Sequence, residues 1–350
     1  MAVTAKTVRL TQQLRRELLK ITNQHDRALT KAWVDAWDTI STDLEAAVNE
    51  LIANAQGGLL SRATILRSRR LQLALAAIAD KLEQLSSDAG RLITDDLPAV
   101  VRAAGEAQEA IIASQLPKGE IDLIGWPKVD PKAIDAIVRR STERITSGLW
   151  PLSAEADAVV RREIVRGIAT GSNPRATAKA IMRGAEGGFN GGLSRALTVA
   201  RTETLSVHRE AAAVSHQENA DVLAGWRWLC DLSTRSCPAC LAKNGELHPL
   251  SEPGPQGHPN CRCSRCPVSK SWQDLGIDLD EPADQFPDSR EWFDSQSEAD
   301  KLKIMGRQRL DLLSNGDVKW SDLATKKSNP EWRDSWQVTP VKDLARKGAA

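Results

Sequence analysis

Apolar residues recur at intervals of three and four along DRALTKAWVDAWDTISTDLEAAVNELI, where Leu29, Trp33, Trp37, Ile40, Leu44, Val48 and Leu51 share one helical face. A second stripe runs through Ile65, Leu71, Leu75, Ile78, Leu82 and Leu85. Between the two, Gly57-Gly58 ends the first run and Ser61 can cap the next. No proline precedes Pro98, and Ala, Leu, Glu, Gln and Arg dominate, so residues 4–116 read as long amphipathic helices. Helices with narrow stripes pack as a hairpin or bundle, or lie against a partner. Each of these exceeds about 30 Å at 1.5 Å per residue. A short bundle covers only part of such a stripe, so the pattern predicts apolar surface left over for another protein.

The periodicity breaks at LPKGEIDLIGWPKVDP, where Pro117, Gly119, Gly125, Pro127 and Pro131 interrupt any helix. Shorter helices are predicted at about 131–147 and 153–169, then a GSNP turn in which Asn173 caps a helix opening with Pro174. GAEGGFNGG reads as a flexible joint between that helix, ending near residue 184, and a longer one from Ser194 to about Asn219. After Gly225 the period shortens. WRWLC reads as a strand, and NGELHPL as a second strand after an Asn-Gly turn. Beyond Cys266 the chain turns helical again, with one helix over EADKLKIMGRQRLDLL and a Lys/Trp-rich tail expected to pack poorly. The fold class is therefore mainly α with a small β module (α+β). Its divisions are a long-helix, partner-binding region 1–116, a linker 117–130, a domain 131–270, and an acidic helical extension 271–350.

Composition changes this picture little. Hydrophobic content of 41% and charged content of 27% suit a soluble globular protein. Aromatic anchoring falls to eleven Trp, with three Phe and no Tyr. A net charge of +1 argues against a basic coat for nucleic acid. Residues 125–270 hold twenty Lys/Arg against fourteen Asp/Glu, a net of +6, while residues 271–350 hold twelve against sixteen, a net of −4. The basic middle leaves room for a polyanion partner but is first a solvated surface. The N-terminal MAVTAKTVRLTQQLRRELL has no apolar core of a signal peptide, and no run approaches eighteen apolar residues. A reducing cytoplasm is the expected setting, where clustered cysteines favour metal over disulfides.

The chemistry gathers at 226–268. Between Thr234 and Cys263 lie four of the six cysteines and two of the five histidines. Cys237-x2-Cys240, seventeen residues, then His258-x2-Cys261 is the spacing of a tetrahedral zinc site, with each pair on one tight turn. In an extended CRC segment Cys261 and Cys263 point to opposite faces, so one of the two ligates. The preferred set is Cys237, Cys240, His258 and Cys261, with Cys263 as the substitute for Cys261. His248 could stand in for His258, Cys263-x2-Cys266 forms a further pair, and Cys230 ends the strand before the knot. Four protein ligands leave no open position, which points to a structural role. The competing reading is a zinc deaminase, which pairs H-x-E on a helix with P-C-x-x-C. His208-Arg209-Glu210 and Cys237-Pro238-Ala239-Cys240 resemble it in part, but proline sits inside the cysteine pair, and HPNCRC would have no task. No P-loop, nucleophile elbow, HExxH or GxGxxG is present.

ALTVARTETLSVHREAA, GWRWLCD, TRSCPAC, NGELHPL and HPNCRCSRCPV, taken in order, resemble the phage Mu F-like minor head proteins, a head-morphogenesis family of tailed phages. The shared features are Ala200-Arg201-Thr202-Glu203, Trp228 with Asp231, Cys237/Cys240, Gly245, His258-Pro259, Cys261-Arg262-Cys263 and Pro267. IMGRQRLDLLSNGDVKWSDL is similar to the segment that follows in the family. The likeness covers about 170–325, so 131–270 becomes a Mu F-like domain; Cys230 and Cys266 fall outside the pattern. The resemblance implies a non-enzymatic virion component inside the capsid near the portal vertex, assembled in the host cytoplasm. Its implied partners are the portal protein, scaffold and major capsid proteins, and packaged DNA; its implied tasks are head assembly, DNA packaging or ejection. An Arg/Glu pair such as Arg201 and Glu203 is expected to brace the strand packed on its helix. The rival functions are a zinc-dependent nucleic-acid enzyme and a sequence-independent DNA-binding module.

Overall fold

The computed structural model describes residues 2–54, 67–117, 130–149, 158, 162, 174–329 and 333–348. The Gly57-Gly58 break, the Ser61 cap, Ile65, linker residues 118–129, the expected 153–169 helix apart from 158 and 162, and the Asn173 cap lie outside them. The described chain is mainly helical with two small antiparallel sheets. Four long helices dominate: α1 (Ala5–Asn54), α2 (Arg69–Ala113), α3 (Pro131–Leu149) and α4 (Pro174–Glu218). Thr4 starts α1, its hydroxyl accepting the Thr7 amide at 3.1 Å.

The residues form two compact units. A helical unit comprises Ile21–Asp96 and Arg140–Glu203; a mixed unit comprises Met1–Lys20, Leu97–Arg139 and Thr204–Ala350. In the helical unit α1 and α2 are antiparallel: Glu50 meets Arg70 at 3.2 Å, while His25, far back along α1, meets Asp96 at 2.7 Å. Leu29, Trp33, Ile40, Leu44, Val48 and Leu51 are buried, as are Leu71, Leu75, Ile78, Leu82 and Leu85. The stripe expected to seek another protein is therefore covered within the chain. Part of the cover comes from Phe189 of α4, so distant in sequence that periodicity within α1 cannot reveal it. The Phe189 ring sits 5.3 Å from Trp37 and 6.5 Å from Trp33. Gly148 lets α3 approach α4, since a Cβ there would stand 3.3 Å from Val199.

The glycine segment 184–192 is not a joint. It lies inside α4, which runs unbroken for 45 residues. Glycine weakens a helix by about 0.5–1 kcal/mol per residue, but Ala185 and Phe189 are each 1% exposed, so packing holds the segment in place. The ARTE residues also differ from expectation. Arg201 pairs with Asp26 of α1, and Glu203 meets Arg144 of α3 at 3.2 Å, so the two brace helices rather than a strand.

In the mixed unit β1 (Leu223–Leu229) is central, with α5 (Pro238–Lys243) following it and β2 (Leu247–His248) and β3 (Ser264–Ser269) as antiparallel neighbours in the order β2-β1-β3. Trp226 pairs with His248 on one side and Pro267 on the other. The pattern did not predict β3, because Pro267 argues against a strand; at a sheet edge its missing N–H is tolerated. Residues 226, 228 and 230 face one way, into a core containing Trp226, Trp228, Cys230, Leu241, Phe293, Met305, Leu323 and Leu344. Leu229, Cys266 and Val268 face the other way and pack with Val3 and Val8. The N-terminal segment is also tied by backbone: Ala2 and Val3 donate to Glu281 and Asp284 at 3.0 and 3.1 Å, and the Gln285 amide donates to the Val3 carbonyl at 2.9 Å.

Downstream come α6 (Ser289–Asp294), α7 (Glu298–Met305) and α8 (Arg307–Ser314), a 3-10 turn at Trp320–Leu323, the hairpin β4 (Ala324–Lys327)–β5 (Ser335–Val338) and α9 (Val341–Gly348). The single helix expected at EADKLKIMGRQRLDLL is two, broken at Gly306, whose φ of 72° ends α7. The tail is well packed, contrary to expectation. Leu323 and Leu344 are fully buried, and the Trp336 amide donates to Gln256 at 2.8 Å. The Lys243 ammonium lies 3.8 Å from the Trp336 ring centre. These tryptophans and leucines are spaced too widely to show a period, so their packing could not be read locally.

Candidate metal centre

Two turns carry the site. In the first, Cys237 is extended (φ −79°, ψ 154°) and caps α5, its sulfur accepting the Cys240 amide at 3.3 Å, with Pro238 at the first helical position. The cap and the first turn bring the two sulfurs to the same helix end. In the second turn, the Cys261 amide donates to the His258 carbonyl at 3.0 Å, and Asn260 adopts a φ of 64°, which asparagine tolerates. Gly257 makes room for this turn, since a Cβ there would lie 2.2 Å from the Cys261 sulfur. Arg209, buried on α4, donates to the Cys261 and Cys263 carbonyls at 2.6 and 2.9 Å and locks the CRC segment.

The histidine is oriented for coordination. His258 Nδ1 lies 2.7 Å from the Pro259 carbonyl, which can only accept, so Nδ1 carries the proton and Nε2 presents its lone pair. Nε2 is 3.1 Å from Cys237 Sγ and 3.4 Å from Cys240 Sγ, and Cys240 Sγ is 3.8 Å from Cys261 Sγ. Ligand edges around tetrahedral zinc are about 3.8 Å for S···S and about 3.6 Å for S···N, given Zn–S near 2.3 Å and Zn–N near 2.0–2.1 Å. The donor set and spacing fit the ion. Two groups of ligand atoms, each within 4.8 Å of one another, are assembled: Cys237, Cys240 and His258, and Cys240, Cys261 and Cys263. All six cysteines are free thiols. A cleft of about 310 Å³, lined by Asp231, Arg235 and Arg262 among others, opens onto them and offers an entry path.

Electrostatics favour metal. Hydrogen bonding from Cys240, and then from His258, holds the Cys237 thiol at about 5 despite burial. Burial opposes charge on His258, but the Cys237 hydrogen bond and nearby thiolates outweigh it and push the imidazole up to about 9. Cys237 is thus already a thiolate at neutral pH, and an arriving cation displaces the second proton that His258 holds on Nε2 in its absence, freeing that lone pair.

The residues preferred from spacing fall in two groups that share Cys240: Cys237 and His258 belong to one, and Cys261 and its substitute Cys263 to the other. Cys230 lines the same cleft and packs in the same core, but it belongs to neither ligand group. Its signal was available in the alternation 226, 228, 230, which places it on the buried Trp face. His248 does not join; it stacks on Trp226 with ring centres 4.3 Å apart and meets Glu252 at 3.1 Å. Cys266 faces the opposite core, where burial pushes its thiol up to about 12. The deaminase pairing does not form. His208 is fully enclosed in α4, its pKa lowered to about 3 by burial and then by Arg209 and Arg15, and among the described residues it belongs to neither ligand group.

Residues 158–266 match the family model described as Phage Mu protein F like protein, the family that the motifs resemble. That family is one of structural head-morphogenesis proteins rather than typical enzymes. No curated protein and no solved structure matches the chain. Among the described residues no helix is long and apolar enough to cross a membrane.

Proposed function

We propose that this chain is a minor head protein of a tailed phage, located inside the capsid near the portal vertex, where it assists head assembly and DNA packaging or ejection. One observation carries the reading: within the segment that matches the Mu F family model, the cysteines and histidine of the motifs gather in two ligand groups that share Cys240, with Arg209 holding the Cys261 and Cys263 carbonyls. In this reading the ion is zinc, held by Cys237, Cys240 and His258 with Cys261 or Cys263, and it has no catalytic role. Structural zinc contributes on the order of 10 kcal/mol of folding free energy, which suits a module whose sheet has only short strands.

The N-terminal helices remain the partner-facing part, through their polar faces rather than the stripe. A deletion of residues 1–116 is the wrong probe, because Val3, Val8 and Ile112 pack in the mixed unit. The test is affinity purification of the full tagged chain from cells making portal, scaffold and major capsid proteins, followed by cryo-EM of the procapsid vertex. Recovery with portal and density at the vertex are expected. Procapsids that carry portal but exclude the chain would overturn the assignment.

A further inference from the structure

The all-sulfur group has no task in the zinc reading. One tetrahedral ion on Cys237, Cys240 and His258 takes a single further thiolate. The two residues on offer for it, Cys261 and Cys263, are instead gathered with Cys240 in a group of their own, with all three sulfurs within 4.8 Å of one another. Cys240 and Cys261 stand 3.8 Å apart. Three sulfurs around one ion at about 2.3 Å form a triangle with edges of about 4.0 Å, so the group is close to the size a three-coordinate ion requires. It is also dry. Cys240, Cys261 and Cys263 are 5%, 2% and 4% exposed, whereas Cys237 and His258 in the other group are only partly buried.

The backbone is arranged to keep this triangle. An extended CRC segment would send its two thiols to opposite faces, but β3 begins only at Ser264. The turn at Asn260, with its φ of 64°, feeds directly into Cys261. Arg209 then grips the Cys261 and Cys263 carbonyls together at 2.6 and 2.9 Å, and brings a buried positive charge to the segment that carries two of the thiols.

Donor chemistry selects the ion. Thiolate ligands without imidazole or carboxylate favour soft ions, copper(I) foremost, while imidazole suits zinc. A site closed to water disfavours an ion that needs solvent to complete a tetrahedron. We propose that Cys240, Cys261 and Cys263 form a second metal position, selective for copper(I) and alternative to the zinc position. Cys240 belongs to both groups, so an ion in one withdraws a ligand from the other, and copper(I) displaces zinc rather than joining it.

This proposal shares Cys240 with the metal-site reading above but stands on a different group, and the experiment separates the two. Full-length protein, reduced and kept free of oxygen, is titrated with zinc against a chromophoric zinc chelator and with copper(I) against bicinchoninate, for wild type, Cys263→Ser and His258→Asn. In wild type each ion alone is expected to bind at one equivalent, and copper(I) to release the zinc. Cys263→Ser should weaken copper(I) by more than the about 10–100-fold that losing a mere support costs, with zinc held within about tenfold, and His258→Asn should do the reverse. Should either variant fail to fold, X-ray absorption of wild type carrying one equivalent of copper(I) serves instead, with sulfur neighbours alone expected. Nitrogen in the copper shell, copper(I) lost together with zinc in His258→Asn, or copper(I) bound without zinc release overturns the second position and leaves the zinc site standing. Copper(I) bound as expected with no zinc bound in any form overturns the zinc reading alone. Neither ion bound overturns both.

Discussion

Arg209 touches no ligand atom, yet it sets where two of them stand. Its guanidinium holds the carbonyls of Cys261 and Cys263, so Arg209→Leu should loosen the CRC segment without removing a donor. The expected result is zinc affinity lower by about 10–100-fold, as for other supports behind metal ligands, measured by competition with a chromophoric chelator. His208, next to it, makes a different prediction. Its folded pKa of about 3 lies below the unfolded value of 6.5, so below pH 6.5 the unfolded chain takes up the proton more readily. Stability is intact above that pH and falls as pH drops towards the folded value, by about 2 kcal/mol at pH 5 for this one group. Urea midpoints at pH 7 and pH 5 in excess zinc should therefore move further for wild type than for His208→Gln. Equal shifts would show that His208 is not buried neutral.

Among the elements, the helices with a full stripe were legible in the chain and the ones tied by distant partners were not. The Leu29-to-Leu51 stripe announces α1 because its burial repeats every turn. The segment at 184–192 conceals its helix because five glycines outvote one phenylalanine locally, and only the Trp33 and Trp37 rings from α1 reverse the outcome. Phe189→Ala should accordingly cost about 3–5 kcal/mol, seen as a lower urea midpoint by helical circular dichroism; a loss under 1 kcal/mol would mean that α4 holds itself. The candidate ligand groups were legible for a related reason. Cys-x2-Cys and His-x2-Cys are local turns, whereas Cys230 is joined to them only by the sheet and by Asn244. β3 was hidden by Pro267, whose tolerance depends on being at an edge, a property of the sheet and not of the segment.

For the molecule as a whole, the two units depend on different forces. The helical unit is held by apolar stripes and ion pairs among helices, with no cysteine among its described residues. The mixed unit has the cluster at the centre of its core, where Cys240, Cys261 and Cys263 take places that aliphatic side chains would otherwise fill. A strong chelator at neutral pH should abolish the near-ultraviolet signals of Trp226 and Trp228 while most helical signal persists, and added zinc should restore them. Loss of both signals together would mean that the metal supports the whole chain.

The segments of these units also reach the ribosome's exit in a fixed order. Every residue of the helical unit has been translated by Glu203, whereas the mixed unit combines the earliest residues with the latest. Val3 and Val8 must wait for Cys266 and Val268, and the Cys240 nest must wait for Leu323 and Leu344. The helical unit can therefore finish folding during synthesis, while the first turns of α1 stay unpartnered until Cys266 and Val268 have emerged. Metal capture at the cluster would come late, once the sequence past residue 263 is available, and the mixed unit cannot close its core before then.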